Sequence, residues 1–276
     1  MPKSIHMISP SDSISSRLFL PAGSLCWREM IRFVRQRSRI IGALATPILF
    51  WVVIGAGMGR SFQADVPGGG NFIEYFFPGT LVMILLFTAI FSEISIIEDR
   101  REGFLQSVLV APVSRMAIVL GKVLGGTVLA SAQGILFLLL APLVGIKLQL
   151  PAILAAIAVT LIVSFALSGL GFCIAWRMSS TQGFHVIMNL FLIPMWFLSG
   201  AMFPASGARG ALRWLMNVNP LTYGVSALRR ALYLSDPTSL RLPGWPVCIG
   251  VSLVFAAVMF ALASTIVGRR VAGDLQ

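Results

Sequence analysis

Six apolar stretches, each close to the length of one bilayer crossing, leave this chain few places to fold except inside a membrane. They cover residues 40–58, 75–97, 123–146, 150–176, 184–202 and 245–268. About 20 predominantly apolar residues are needed to cross a bilayer as a helix. The second stretch carries one charge, Glu93, and Pro194 interrupts the fifth. Hydrophobic residues make up 57% of the 276, and charged residues only 11%, where a soluble domain carries about 25%. One soluble core could not bury so much apolar surface. The expected fold is therefore an all-α membrane protein with six transmembrane helices.

The net charge of +11 does not point to nucleic acid. The arginines flank the apolar spans, as membrane-anchoring cations do, and no basic stripe is interleaved with aromatics. With a cytoplasmic N-terminus, the inner side holds the tail, residues 98–122, residues 177–183 and the C-terminus. That side collects twice as many Lys and Arg as the outer side, so both termini are expected in the cytoplasm. Residues 1–39 show no apolar run followed by a small-residue cleavage site, so the first span is expected to act as the insertion signal. Cys26, Cys173 and Cys248 lie far apart with no C-x-x-C pair, and His6 and His185 are isolated. Neither metal nor disulfide chemistry is expected, and His185 reads as a packed or interfacial helix residue.

Residues 1–23 are rich in Ser and Pro and read as a disordered tail. The membrane domain then runs over 24–276. Ser24 is a candidate N-cap for a helix over 24–39. Trp27, Met30, Ile31 and Val34 recur there at helical spacing, while Arg28, Arg32, Arg35 and Arg39 fall on another face. This predicts an amphipathic helix lying in the headgroup region, or else a helix packed on other protein. Gly55/Gly59 and Gly121/Gly125 are small-xxx-small pairs suited to close helix packing.

The connection between spans five and six is unusual. Residues 211–216 and 221–234 look helical but are too short to span, and Asn217-Val218-Asn219-Pro220 separates them. The segment 205–234 is expected to form a re-entrant hairpin dipping into the outer half of the membrane; a surface loop with two amphipathic helices is the alternative. Within the spans, Glu93, Ser131, Gln133, Ser164, Ser168 and Asn189 are the polar residues of note. Such groups usually face the bundle interior. Glu93 lies near the inner end of span two, where a structural or gating role, substrate contact and proton coupling all remain open.

Residues 98–112 open with Glu98-Asp99-Arg100-Arg101-Glu102-Gly103 and continue with Phe104, Leu105, Val108 and Leu109 at helical spacing. Pro112 breaks the pattern, and Ser114 can cap the next helix. This is a short amphipathic helix that either docks into a partner's groove or rests on the membrane surface. No G-x-x-x-x-G-K-[ST] loop exists; Gly121-Lys122-Val123 lacks both the earlier glycine and the hydroxyl residue. H-E-x-x-H and G-x-S-x-G are absent too, which leaves membrane protease or esterase chemistry without support.

The ordered set of elements from about residue 24 to 270 resembles the ABC-2-type permeases, the membrane subunits of type V ATP-binding-cassette exporters. Three stretches carry the resemblance: Phe77-Pro78-Gly79; Glu102-Gly103-Phe104-Leu105 with Leu109-Val110-Ala111-Pro112; and Leu198-Ser199-Gly200-Ala201-Met202-Phe203-Pro204 followed by Asn219-Pro220-Leu221-Thr222-Tyr223 and Ala227-Leu228-Arg229. Gln106 stands where the familiar pattern often has an acid. The resemblance implies that Arg101, Glu102, Gly103, Phe104, Leu105, Val108 and Leu109 form a coupling helix against a separate ATPase, which binds ATP and Mg while this chain binds no cofactor. It implies an outer gate containing Phe203, Pro204, Asn219, Pro220, Leu221, Tyr223 and Arg229. Two copies of the permease and two of the ATPase are expected, in a bacterial inner membrane, exporting a drug, lipid or glycan. An ion-coupled secondary transporter would need discontinuous midplane helices and coupling ions. A non-transporting assembly protein would leave the docking helix and the hairpin unexplained.

Overall fold

The computed structural model describes residues 15–58, 71–111, 113–204, 207–234, 236, 239 and 242–273. Among these residues all regular structure is helical. The helices are α1 (Ser15–Arg35), α2 (Arg37–Met58), α3 (Phe72–Ser92), α4 (Ile94–Arg101), α5 (Phe104–Val110), α6 (Arg115–Leu138), α7 (Leu150–Ala175), α8 (Thr181–Phe197), α9 (Gly210–Val218), α10 (Pro220–Leu232) and α11 (Trp245–Gly273).

The centre of the fold is the rod made by α3 and α4. It is apolar on every side, as a helix surrounded by other helices must be. Its hydrophobic window is 89% buried, against 22% for those of α2 and α11. Phe76, Phe77, Leu81, Ile84 and Leu85 are enclosed. Around the rod stand α2, α6 and α7, with α11 against α7. Phe77 stacks on Phe137 of α6 at 4.6 Å, and Trp51 of α2 closes edge-on against both rings. Such aromatic pairs add about 0.5–1.5 kcal/mol beyond their area.

Among the described residues, five helices are long and apolar enough to cross a membrane: 40–58, 72–101, 115–138, 150–175 and 245–268. The fifth expected span is shorter than read from the sequence. α8 has 17 residues and stops before the Leu198–Pro204 stretch, where Gly200 takes φ +79°. It therefore covers only about 26 Å at 1.5 Å per residue.

Four other boundaries move. α1 starts at Ser15, so residues 15–23 are helical and not a disordered tail. Ser24 is interior to it and bonds back to the Leu20 carbonyl instead of capping. The second span continues to Arg101, and the stretch 98–112, expected as one short helix, divides between the end of α4 and the seven-residue α5. Glu102 ends α4, and Gly103 turns the chain with φ +76°, a conformation that favours glycine. The third span begins at Arg115 and ends at Leu138, shifted from 123–146. Ser114 does cap it, accepting a hydrogen bond from the Ala117 N–H.

Gly121, Gly125 and Gly55 serve packing within the chain. A Cβ on Gly121 would stand 2.8 Å from both the Ala22 carbonyl and Leu25 Cβ. One on Gly125 would stand 2.9 Å from Glu29 Cβ. These glycines let α1 lie directly on α6. Gly55 meets Ile73 of α3, and Gly59 lies outside the described residues.

Candidate functional site

α5 is mounted on a charged junction that joins α1, α4 and α6. Ala22, Leu25, Glu29 and Phe33 form the buried stripe of α1, and this stripe faces the glycines of α6. Glu29 thereby enters an apolar interface, where an anion needs partners. It finds Lys122, whose side chain is only 2% exposed. The Lys122 ammonium donates to Glu29 Oε1 at 2.6 Å, Ser95 Oγ at 3.1 Å and Asp99 Oδ2 at 2.5 Å. An ammonium has three N–H donors, so all are used.

Asp99, fully buried on α4, is the hub. Arg28 grips it with both terminal nitrogens, at 3.0 and 2.8 Å. Arg32 adds a bond at 2.7 Å and reaches Glu98 at 2.8 Å. Fork-shaped guanidinium contacts of this kind fix orientation as well as charge. Arg28 also lies 3.7 Å over the Phe104 ring, so the junction bears on the first residue of α5. Arg100 donates to the Trp176 and Met178 carbonyls, and Arg101 to the Ser179 carbonyl. These cations satisfy the carbonyls that the end of α7 leaves free.

The expected coupling residues separate into two groups. Leu105 is buried in this chain's own core, and Phe104, Val108 and Leu109 are half-buried. Arg101, Glu102, Gln106 and Ser107 are exposed, and Val110 is 87% exposed. On α1, Trp27, Ile31 and Val34 point away from the protein, whereas Met30 is half-buried. Burial and the neighbouring Glu29 carboxylate hold the Cys26 thiol above its usual range.

At the far end of the α3–α4 rod lies the hairpin. α9 is largely exposed, but α10 is buried along most of its length, packed on α11, α7 and α3. Asn219 makes the corner. Its side-chain oxygen accepts from the Leu221 N–H, and its amide donates to the Met195 carbonyl at 2.6 Å. Pro220 takes the first helical position, where its missing N–H costs nothing. Arg229 stacks 3.9 Å over Tyr75 and donates to the Tyr75 carbonyl, and Arg230 donates to the Leu242 carbonyl. The Tyr75 hydroxyl reaches the Gly200 carbonyl, and Trp196 donates to the Gly79 carbonyl. The Phe77-Pro78-Gly79 and Leu198–Ala201 stretches thus touch, with no room for a Cβ at Gly79 against Ala201. Tyr223 bonds the Asn217 carbonyl, Leu221 is buried, and Phe203 and Pro204 are half-buried.

Glu93 is enclosed between α3, α6 and α7. Asn189 is exposed on α8, beside Leu190 and Phe191. His185 packs on the Phe91 ring at 5.1 Å. The residues that sequence reasoning missed are Glu29, Asp99 and Lys122. One signal was available: Glu29 is the only acid in α1 and falls on its apolar stripe.

Known proteins align with most of this chain. Nodulation protein J of Rhizobium leguminosarum bv. viciae is 27% identical over 91% of this chain and 97% of its own length. The putative transport permease ycf38 of Cyanophora paradoxa is 25% identical over 95% and 92%. Nodulation protein J of Sinorhizobium fredii is 26% identical over 84% and 87%. Residues 22–233, which span the charged junction, α5 and the hairpin, match the ABC-2 type transporter family. With its apolar helices and this match, the chain belongs to the ABC-2 type transporters, as an integral membrane transport permease.

Proposed function

We propose that this chain is the membrane subunit of an ATP-driven exporter, working as two copies with a separate ATPase that binds ATP and Mg. The observation that carries the reading is the mounting of α5. A seven-residue amphipathic helix with Val110 87% exposed is held by Arg28 and Leu105 while Gln106, Ser107 and Val110 face outward. Short helices presented this way suit a partner's groove. The charged junction then lies on the cytoplasmic side, in a bacterial inner membrane, and the hairpin on the outer side. α8 completes a sixth crossing together with the hairpin that follows it.

The homodimer reading rests on α8. Asn189 shows an amide among Ile187, Leu190 and Phe191, all exposed. Amides facing hydrocarbon are disfavoured and serve as interhelical hydrogen-bonding groups, which supports a second copy over this face. The substrate proposed is amphipathic, lipid-like or glycan, a reading supported only by the resemblance to this family.

The test is co-expression with a candidate ATP-binding-cassette ATPase from the same organism. Val110→Asp is expected to lose co-purification of the ATPase while the permease still inserts. Leu105→Ala is expected to lower permease stability instead. Undiminished co-purification and transport-linked hydrolysis in Val110→Asp would show that α5 is not the docking element. Stimulation of the reconstituted pair's hydrolysis across lipids and glycans then identifies the substrate class.

A further inference from the structure

Glu93 interrupts the central rod. Its N–H bonds the Ile90 carbonyl, three residues back, so the Ala89 carbonyl loses its helical partner. The Ser92 hydroxyl takes that carbonyl at 2.7 Å. Having spent its only hydrogen there, Ser92 Oγ presents lone pairs alone to its other neighbours.

The Glu93 side chain is 1% exposed, and neither carboxylate oxygen has a hydrogen-bond partner. Lys122 is the nearest obvious counter-charge, but its three donors are already committed to Glu29, Ser95 and Asp99. Space for Glu93 comes from two glycines on facing helices. A Cβ on Gly171 of α7 would stand 3.1 Å from Glu93 Cγ. A Cβ on Gly126 of α6 would stand 2.6 Å from Ser92 Oγ and 2.7 Å from both Glu93 Oε1 and Ser168 Oγ. Three oxygens therefore converge beside Gly126. Ser168 is fully buried and its hydroxyl has no partner.

The charges around the site leave Glu93 over. Arg28, Arg32 and Lys122 are already shared among Glu29, Glu98, Asp99 and the exposed Glu102. Glu93 is a fifth anion behind that junction. A buried carboxylate with no partner is costly enough that it neutralises or acquires a cation, and ionisable groups inside a membrane domain mark functional sites by default.

We propose that Glu93, Ser92 and Ser168 form an occluded site for one small cation, a proton or a sodium ion. Bound there, the cation bridges the Glu93 carboxylate and the Ser92 lone pairs. A proton on Glu93 donates to Ser92 Oγ; a sodium ion takes both oxygens and Ser168 Oγ as ligands. The proposal stands whether or not the chain works as an exporter.

The test is thermal unfolding of the whole permease in nanodiscs, with sodium exchanged for choline at constant ionic strength and with pH varied in each buffer. A cation held only by the folded state raises stability with its concentration. Sodium binding is expected to raise the midpoint in sodium over choline. Proton binding is expected to make the midpoint fall as pH rises through proton release, with no sodium effect. Other charged or ionisable residues lie on the elements around the site: Glu29 on α1, Asp99 on α4, Lys122 on α6, Cys173 on α7, Arg177 just beyond it and His185 on α8. The difference from Glu93→Gln therefore isolates the site. That variant carries a neutral amide and is expected to unfold no lower than the wild type and to lose the cation response. Ser168→Ala keeps the carboxylate and is expected to weaken the sodium response roughly tenfold, the worth of one hydrogen-bonding ligand to a charge. Wild type and Glu93→Gln responding alike to both cations would overturn the proposal. So would a Glu93→Gln midpoint far below the wild type, which would mean an ion pair had been lost. Where the wild type responds to sodium, a Ser168→Ala sodium response superimposable on it also counts against the proposal.

Discussion

Lys122 and Asp99 face each other at 2.5 Å in a setting where neither meets water. With Glu29 on its other side, Lys122 joins three helices through one ammonium group.

Lys122→Met should therefore destabilise strongly. It leaves the buried Glu29 with only the long 3.4 Å contact to Arg28, and Asp99 relying on arginines alone. Removing one partner of a buried pair costs about 3–5 kcal/mol. Unfolding in detergent should start at markedly lower temperature, and Lys122→Arg should restore little, because a planar fork cannot replace three tetrahedral donors. An unchanged midpoint in Lys122→Met would show that the junction contributes no stability.

Gly125→Leu should lift α1 from α6. Its Cβ alone would stand 2.9 Å from Glu29 Cβ, and the branched end has nowhere to go. Cys26 reports the result. Burial and Glu29 keep its thiol above the usual range, so little thiolate exists at neutral pH. With Cys173 and Cys248 replaced, maleimide labelling of Cys26 should be several-fold faster in Gly125→Leu. Equal rates would mean that α1 remains docked.

Arg229→Ala should damage the hairpin more than membrane insertion. It removes the stack on Tyr75 and the bond to the Tyr75 carbonyl, together worth about 2 kcal/mol for a desolvated cation–π contact. Arg229→Lys should not rescue, since a point charge cannot stack flat. Transport at the wild-type rate in both variants would remove the hairpin from the mechanism.

Impermeant thiol reagents can settle the orientation. Gln106 and Arg209 are both exposed, at opposite ends of the bundle. In a cysteine-free background, Arg209→Cys should label in intact cells and Gln106→Cys only after lysis. The reverse pattern would turn the protein over.

The spans at α2, α7 and α11 were legible because their ends coincide with changes of polarity. Lys122 defeated the same rule at α6. A charge was taken as the edge of an apolar run, but it sits inside the helix because two carboxylates from distant segments neutralise it. Likewise Glu98-Asp99-Arg100-Arg101 read as the start of a surface helix, though these residues complete the central rod and find their partners on α1 and beyond α7. Local spacing identified the Asn219-Pro220 corner and the Ser114 cap, since both act on their own backbone. It could not reveal that Gly121 and Gly125 receive α1, or that Gly79 receives Ala201, because those partners lie far along the chain. Glu93 was visible as an isolated acid; its convergence with Ser92 and Ser168 was not.

The α3–α4 rod is clamped at both extremities by arginines from other helices, Arg229 at one and Arg28 with Arg32 at the other. A beam fixed at its two ends bends where its own ladder is already broken, and sharp bends in helices arise at such interruptions. The break at Glu93 is that place. Any tilt imposed on the rod through α5 must reach the hairpin by way of the joint beside Gly126 and Gly171, so the two ends can move relative to each other only as far as that joint yields.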